Sequence, residues 1–548
     1  MTTHASPQSG PMPAAVPLDA VADDGAASGL AWAWFGFGAV ALAAVLVFWI
    51  FEALPFQDLP AHAGLIALRH RFADSPFEQR YFILAPHIGP YSLFRLLGDL
   101  FASALGPVGA VRALATLPVV ATPLALVFAR RHLHADRSPA FGFLGIALSF
   151  GLMTLLGFAS YLLGVAVLIG ALTVWLELLA LADRGAPTAR RELAMAAMAP
   201  LVFVAHGHAF VLFLVLAGVA AIATGKRGAR ILRLRALVPA VALAAYVAWL
   251  ERGPAPPAGS AVVTGEGLAP HFQAASDKLS LLITPTLMTR TGVDFFLGVL
   301  VWVFAITASV VTIRALRRAP PALPIGEAEI DQRSRAHSRA LYTCVATLVV
   351  GFLALPHAIG WFGFVDGRLV PLILLLSLMA VRRPSLGRVL QTALDKGAPT
   401  VAVAMTAVAL VASHRFQDEA LGYKKVLAAV PERARLLNLP LDPNSSVFTA
   451  HPFVHYDKLA LAERPLVVSD IWFHQGSALY PTPENPSLRL PSSYSESDLR
   501  VIDWPAYHLD DWDYVLVRTR PDATPPDAPP TLTLAEHQGG WWLYRTTR

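Results

Sequence analysis

The stretch FEALPFQDLPAHAGLIALRHRF, residues 51–72, follows directly on an apolar run that begins near Leu30. It sets Glu52, Asp58 and His62 at the mouth of a segment long enough to cross a bilayer, with prolines 55 and 60 bracketing Asp58. Proline fixes its own φ and restricts the residue before it, so this loop is pinned. Past Pro60 the sequence AHAGLIALRHRF suits a helix lying in the interface, and Asp58 stands where a carboxylate can cap its free N–H groups. A carboxylate held at a membrane boundary is also partly desolvated, which raises its basicity and suits it to general-base work. His62, one turn on, could orient it or share its proton.

The rest of the chain supplies the membrane. Of 548 residues, 55% are hydrophobic and 15% charged, against about a quarter charged in soluble domains. A span needs roughly 20 apolar residues. Runs near 30–51, 107–129, 139–157, 159–182, 193–207, 209–224, 236–250, 293–313, 340–355, 367–381 and 397–413 predict about eleven transmembrane helices. No basic region or early small-residue cleavage site precedes the first run, so it is expected to be retained rather than removed as a signal peptide. With the N-terminus in the cytoplasm, the inner loops hold 21 Lys and Arg side chains, whereas the short outer loops after residue 107 hold Arg252, Lys278 and Arg290, with Arg368 at the edge of a span. That asymmetry satisfies the positive-inside rule and accounts for the net charge of +5. No basic patch interleaved with aromatics points to nucleic acid. The lone Cys344 lies in an apolar run and reads as a packing residue.

Residues 86–105, PHIGPYSLFRLLGDLFASAL, carry Arg95 and Asp99 on one helical face. Two charges in mid-span are costly, so this segment is read as a second interfacial helix inside a long first outer loop, 52–106. Residues 1–29, rich in Ala, Pro, Ser, Gly and Asp, are expected to be a disordered cytoplasmic tail. The expected organisation is therefore a 30–413 membrane domain with outer loops at 52–106 and 251–292, followed by a periplasmic 414–548 domain. In that last region SSVFTAH, RPLVVSD, DYVLVRTR and GGWWLYRT read as short strands, predicting a small α/β or mainly β fold. Its HPFVHYDK and SDIWFHQGSALY segments are rich in aromatics and histidine, suited either to stacking on sugars or to a domain core.

The FQDLPAHAG stretch, with Asp58-Leu59-Pro60-Ala61-His62, resembles the first outer loop of bacterial GT-C class membrane glycosyltransferases. The span count, the juxtamembrane helices and the outer C-terminal domain resemble the class too. The resemblance implies a polytopic enzyme of the bacterial inner membrane. It would move a sugar from a polyprenyl-phosphate donor to an envelope glycan, lipid or protein acceptor on the periplasmic side, with inversion and with Asp58 as catalytic base. Many of the class pair two acids in this loop or the next outer one; here the nearest acid is Glu52, and the turn GFAS, 157–160, carries none. A divalent metal is therefore an option rather than a requirement.

Other outer residues could meet the substrate. In LPHAIGWFGFVDGRLVPL, 355–372, Arg368 beside Asp366 and His357 could grip a lipid phosphate with its planar fork, or could pair with Asp366 or snorkel. Arg290, Arg95, His87 and Glu52 are further candidates for contact with phosphate or sugar. His206 and His208, in VAHGHAF, are weak metal candidates, since catalytic zinc needs three ligands and two histidines at i and i+2 do not share a helix face. Two other classes compete: a transporter or flippase, which needs a midplane polar site where Glu177 is the main acid in a span, and a non-catalytic envelope assembly protein.

Overall fold

The computed structural model describes residues 24–84, 88–224, 233–250, 269–283, 289–320, 322–360, 362–471, 479–525 and 527–547. Helix α1 spans Asp24–Leu46; α2, Leu59–Arg71, and the short α3, Pro76–Tyr81, follow in the first loop. Then come α4 (Ser92–His134), α5 (Ala140–Ser149), α6 (Leu152–Leu155), α7 (Ala159–Asp183), α8 (Ala189–Ala205) and α9 (Gly207–Ala223). Further helices run over Val238–Leu250, Val293–Arg317, Ile325–Ala354, Leu369–Ala380 and Ala398–Ala420. Each apolar run falls on helix, the 139–157 run being divided between α5 and α6. Six helical stretches are long and apolar enough to cross a membrane, among them Ala159–Asp183 and Val293–Arg317. Their lipid-facing character is visible in exposed side chains such as Trp32, Phe35, Val303 and Val350.

Two boundaries differ from expectation. The first helix begins at Asp24, six residues inside the tail expected to be disordered; residues 1–23 lie outside the described residues. The interfacial segment and the following span form α4 together, broken at Gly106, whose φ of 69° and ψ of 171° only glycine adopts freely. Asp99 acts electrostatically on Arg95 and is also engaged beyond its own helix. It takes a two-point hydrogen bond from Arg69 of α2, at 2.8 and 3.4 Å, tying the two interfacial helices together. Glu177 pairs with His132 at 2.9 Å and Arg191 at 2.7 Å, toward the C-terminal end of α7.

The C-terminal region carries a five-stranded mixed sheet in the order β5-β4-β7-β9-β8, with β4 Arg435–Pro440, β5 Val467–Val468, β7 Tyr514–Arg518, β8 Leu532–Gln538 and β9 Trp541–Thr546. β4 runs parallel to β5 and β7, while β9 is antiparallel to β7 and β8. SSVFTAH forms no strand, contrary to expectation; its Phe448 makes one isolated bridge to Thr289. The central strand β4, unforeseen, reads RLLNLP and is buried on both faces, so it lacks the alternation that marks a half-exposed strand.

The sheet region is bolted to the first loop. Gly64 of α2 lets the helix Lys458–Glu463 approach so closely that a Cβ there would lie 3.1 Å from Leu461 and 3.2 Å from the Lys458 carbonyl. Arg71 donates to the carbonyls of Leu461 and Arg464, and Tyr456 to that of Leu54. β1, Phe82–Leu84, pairs with β6, Leu479–Pro481. This docking carries residues 451–458 to the mouth of the first span.

Candidate active site

Asp58 occupies the N-cap position of α2, yet its side chain makes no capping hydrogen bond. The carboxylate is therefore not consumed by the helix end. The loop that holds it is set by its backbone: Gln57 N–H donates to Leu155 at 3.0 Å and Asp58 N–H to Leu156 at 3.2 Å. Those carbonyls belong to the turn before α7, and the turn closes at Gly157, whose φ is +81°. The acid-free GFAS turn follows directly on these two acceptors, and its Gly157 sets no side chain against Asp58.

Asp58's side chain is 16% exposed, and its Oδ1 lies 3.8 Å from His455 Nε2. Burial pushes its carboxyl up to about 6, with the His455 and Arg368 charges pulling the other way. The His62 ring lies tilted against Phe94, ring centres 4.8 Å apart. Burial first, and then His455, lower its imidazole to about 3, so it is neutral at physiological pH.

Arg368 stands before the helix Leu369–Ala380, buried. Its guanidinium lies 4.0 Å from the Phe362 ring centre, 4.7 Å from Phe158 and 5.8 Å from Tyr161. Among the described residues its Nε and Nη1 have no hydrogen-bond partner. It does not pair with Asp366. That carboxylate is committed elsewhere: to His357 Nδ1 at 2.9 Å, to the Gly367 N–H at 2.7 Å and to Lys278 at 3.2 Å. Lys278 also caps the carbonyls of Phe352 and Leu355. Together with the β2–β3 pairing of Pro270–His271 to Ala358–Ile359, this ion pair frames the loop that delivers Arg368. Two non-glycine residues with positive φ flank the guanidinium: Tyr91 at 70° and Phe364 at 55°. Strained backbone of this kind concentrates where a site must be held in one geometry.

His206 and His208 sit among aromatic rings. The His206 ring is wedged against Tyr91 and Tyr161, with centroids at 4.8 and 5.3 Å, and its Nδ1 accepts the His208 N–H, capping α9. His208 faces Tyr161 and Phe362, the rings that hold Arg368, and among the described residues its Nδ1 lacks a partner. No three His, Cys, Asp or Glu side chains among the described residues converge on a metal position.

Of the other expected site residues, Glu52 pairs with Lys424 at the surface and lines a cleft of about 240 Å³ that also borders Leu59, Arg112 and Tyr456. Arg290 is held by the C-terminal region: its N–H donates to Val447 at 2.9 Å and its Nε to Ser445 at 3.0 Å. Arg95 reaches Ser92 Oγ at 2.9 Å. His87 lies outside the described residues.

The sequence reading missed His455 and what stands behind it. His455 Nδ1 lies 3.0 Å from Glu496, which also takes bonds from Lys458, from Ser469 at 3.1 Å and from Tyr494 at 3.1 Å. Asp457 meets Lys458 at 3.1 Å and Asn438 at 3.0 Å. The polar half of HPFVHYDK builds this buried network, while Phe453 and Tyr456 join Phe416 and Trp541 in an aromatic core.

No family model matches the chain, and no curated protein matches it in sequence. Solved structures do match in fold, ArnT among them. ArnT from Cupriavidus metallidurans in the apo state superposes with a TM-score of 0.54 at 13% identity, over 94% of this chain and 98% of that one. The same protein bound to undecaprenyl phosphate gives 0.51, again at 13% identity and with the same coverage. The chain is a multi-pass membrane protein that shares the fold of ArnT.

Proposed function

We propose that this protein is a glycosyltransferase of the bacterial inner membrane, with its N-terminus in the cytoplasm and with Asp58, Arg368 and the C-terminal region on the periplasmic side. Its donor would be a sugar linked to a polyprenyl phosphate, and its acceptor a hydroxyl of an envelope glycan, lipid or protein. The observation that carries this reading is the pairing of a partly buried carboxylate that nothing caps, Asp58, with a buried guanidinium, Arg368, whose charge acts on it and whose fork keeps donors unspent. An ArnT structure of the same fold holds undecaprenyl phosphate, which supports a lipid phosphate as the ligand of such a site.

Asp58 would take the proton of the acceptor hydroxyl as its oxygen bonds the anomeric carbon. The bond from that carbon to the phosphate oxygen breaks, and the electron pair leaves with the polyprenyl phosphate. Single displacement inverts the configuration. Arg368, stacked and preorganised, would stabilise the charge growing on the leaving phosphate without rearranging. His208, beside the same rings, could add a donor to that phosphate.

The test is reconstitution of the full chain with an undecaprenyl-phosphate-linked sugar and an envelope extract as acceptor. Transfer that Asp58→Asn abolishes supports the assignment. Equal transfer by wild type and variant removes Asp58 from the chemistry.

A further inference from the structure

The network behind Asp58 belongs to a different part of the chain from Asp58 itself. Glu496, His455, Lys458 and Asp457 are all buried in the C-terminal region. Glu496 is the anchor: burial works against its charge, but Lys458 and the His455 bond win, drawing it down to about 2. An ionised Glu496 at Nδ1 fixes that nitrogen of His455 as the donor and turns Nε2 toward Asp58. For His455 burial again opposes charge, yet the Glu496 hydrogen bond and the two carboxylates raise it above its ordinary value. The charged and titratable groups acting on the Asp58–His455 contact are His62 of α2, which is neutral, Arg368 before its helix, and Glu496, Lys458 and Asp457 behind.

We infer that His455, held by Glu496, is a positioning residue through which the C-terminal region keeps the Asp58 carboxylate ionised and oriented for proton abstraction. The inference rests on Asp58 as the base in the transfer reaction proposed above. It gives the docking of the sheet region onto α2 a chemical consequence. A cation 3.8 Å from a partly desolvated carboxylate favours its charged form, and only a folded and docked C-terminal region puts it there.

The test reads Asp58 directly and needs no substrate. Full-length protein in lipid nanodiscs is titrated by infrared spectroscopy, and the protonated carboxyl band of Asp58 is identified as the one absent from Asp58→Asn. His455→Gln should move the midpoint of that band upward by about one pH unit. Glu496→Gln should move it in the same direction by lowering the charge on His455. Because Glu496 is buried among partners, Tyr494→Phe serves as a milder second variant, expected to give a smaller upward move. An unchanged Asp58 midpoint in a folded His455→Gln protein overturns the inference whatever the sugar-transfer assay shows. A shifted midpoint in a protein that transfers no sugar upholds the His455–Asp58 coupling and removes the transferase reading instead.

Discussion

Gly157 lies directly against Asp58: a Cβ at position 157 would sit 2.7 Å from the Asp58 nitrogen and 2.9 Å from its Cβ. Its φ of +81° is also one that side-chain-bearing residues rarely adopt. Gly157→Ala should therefore push the Asp58 loop off the Leu155 and Leu156 carbonyls. We expect a loss of about 1–3 kcal/mol from the strained backbone, and a transfer rate reduced well beyond what that destabilisation explains. Gly185→Ala is the control, since Gly185 has a φ of +69° but open space around its Cβ. It should show the stability loss in a detergent melt without the rate loss. Equal rates for the two variants would show that position 157 does not shape the site.

Asp58 should make the protein less stable where it makes it active. Its carboxyl is raised from 3.8 to about 6, so the folded state holds the proton more tightly than the unfolded chain does. That contribution to stability is full below pH 3.8 and is lost as pH rises through 6. Asp58→Asn should raise the melting temperature at pH 7.5, by at most about 3 kcal/mol in free energy, with the gain vanishing toward pH 4. The transfer rate of the wild type should rise with pH along a limb centred near 6, as the base ionises. A variant no more stable than wild type at pH 7.5 would mean the carboxylate is not desolvated.

The sequence displayed the helices because lipid imposes long apolar runs, and all eleven fell on helices. It displayed Asp58 because span, proline and acid are neighbours along the chain. His455 was invisible as a partner because nearly 400 residues separate it from Asp58, and the closeness arises only when Gly64 admits the Lys458–Glu463 helix. Arg368 was legible as a residue, but not its freedom: Asp366, two positions away, suggested a local pair, whereas Asp366 is taken up by His357 and by Lys278 from a distant segment of the chain. Strand β4 hid for a related reason, being apolar on both sides.

Arg368 tests the phosphate reading apart from the chemistry. Arg368→Gln removes charge and fork, and should weaken binding of undecaprenyl phosphate by at least tenfold, since charge-assisted hydrogen bonds contribute about 1.5–3 kcal/mol. Arg368→Lys keeps charge but loses the plane that stacks on Phe362 and Phe158, so it should recover only part. Calorimetry in detergent measures both. Arg368→Gln should not lower the melting temperature, because a buried guanidinium with unspent donors costs the fold more than an amide does. Unaltered lipid affinity in Arg368→Gln would detach this residue from the donor.

Two ion pairs separate frame from surface. Asp366 and Lys278 are buried, with side chains 0% and 8% exposed, whereas Glu52 and Lys424 are 55% and 59% exposed. Removing one partner of a buried pair leaves the other charge uncompensated in a poor solvent, at a cost of about 3–5 kcal/mol. An exposed pair yields less than about 1 kcal/mol, because water competes for both ions. Asp366→Ala should therefore melt much earlier than wild type. It should also bind undecaprenyl phosphate more weakly, since the loop that carries Arg368 loses its tie to Lys278 and His357. Glu52→Ala should leave the melt almost unmoved. If instead Glu52→Ala impairs lipid binding as strongly as Asp366→Ala, the lipid reaches the protein through the cleft beside Leu59 and Arg112, and the Arg368 loop is not its seat.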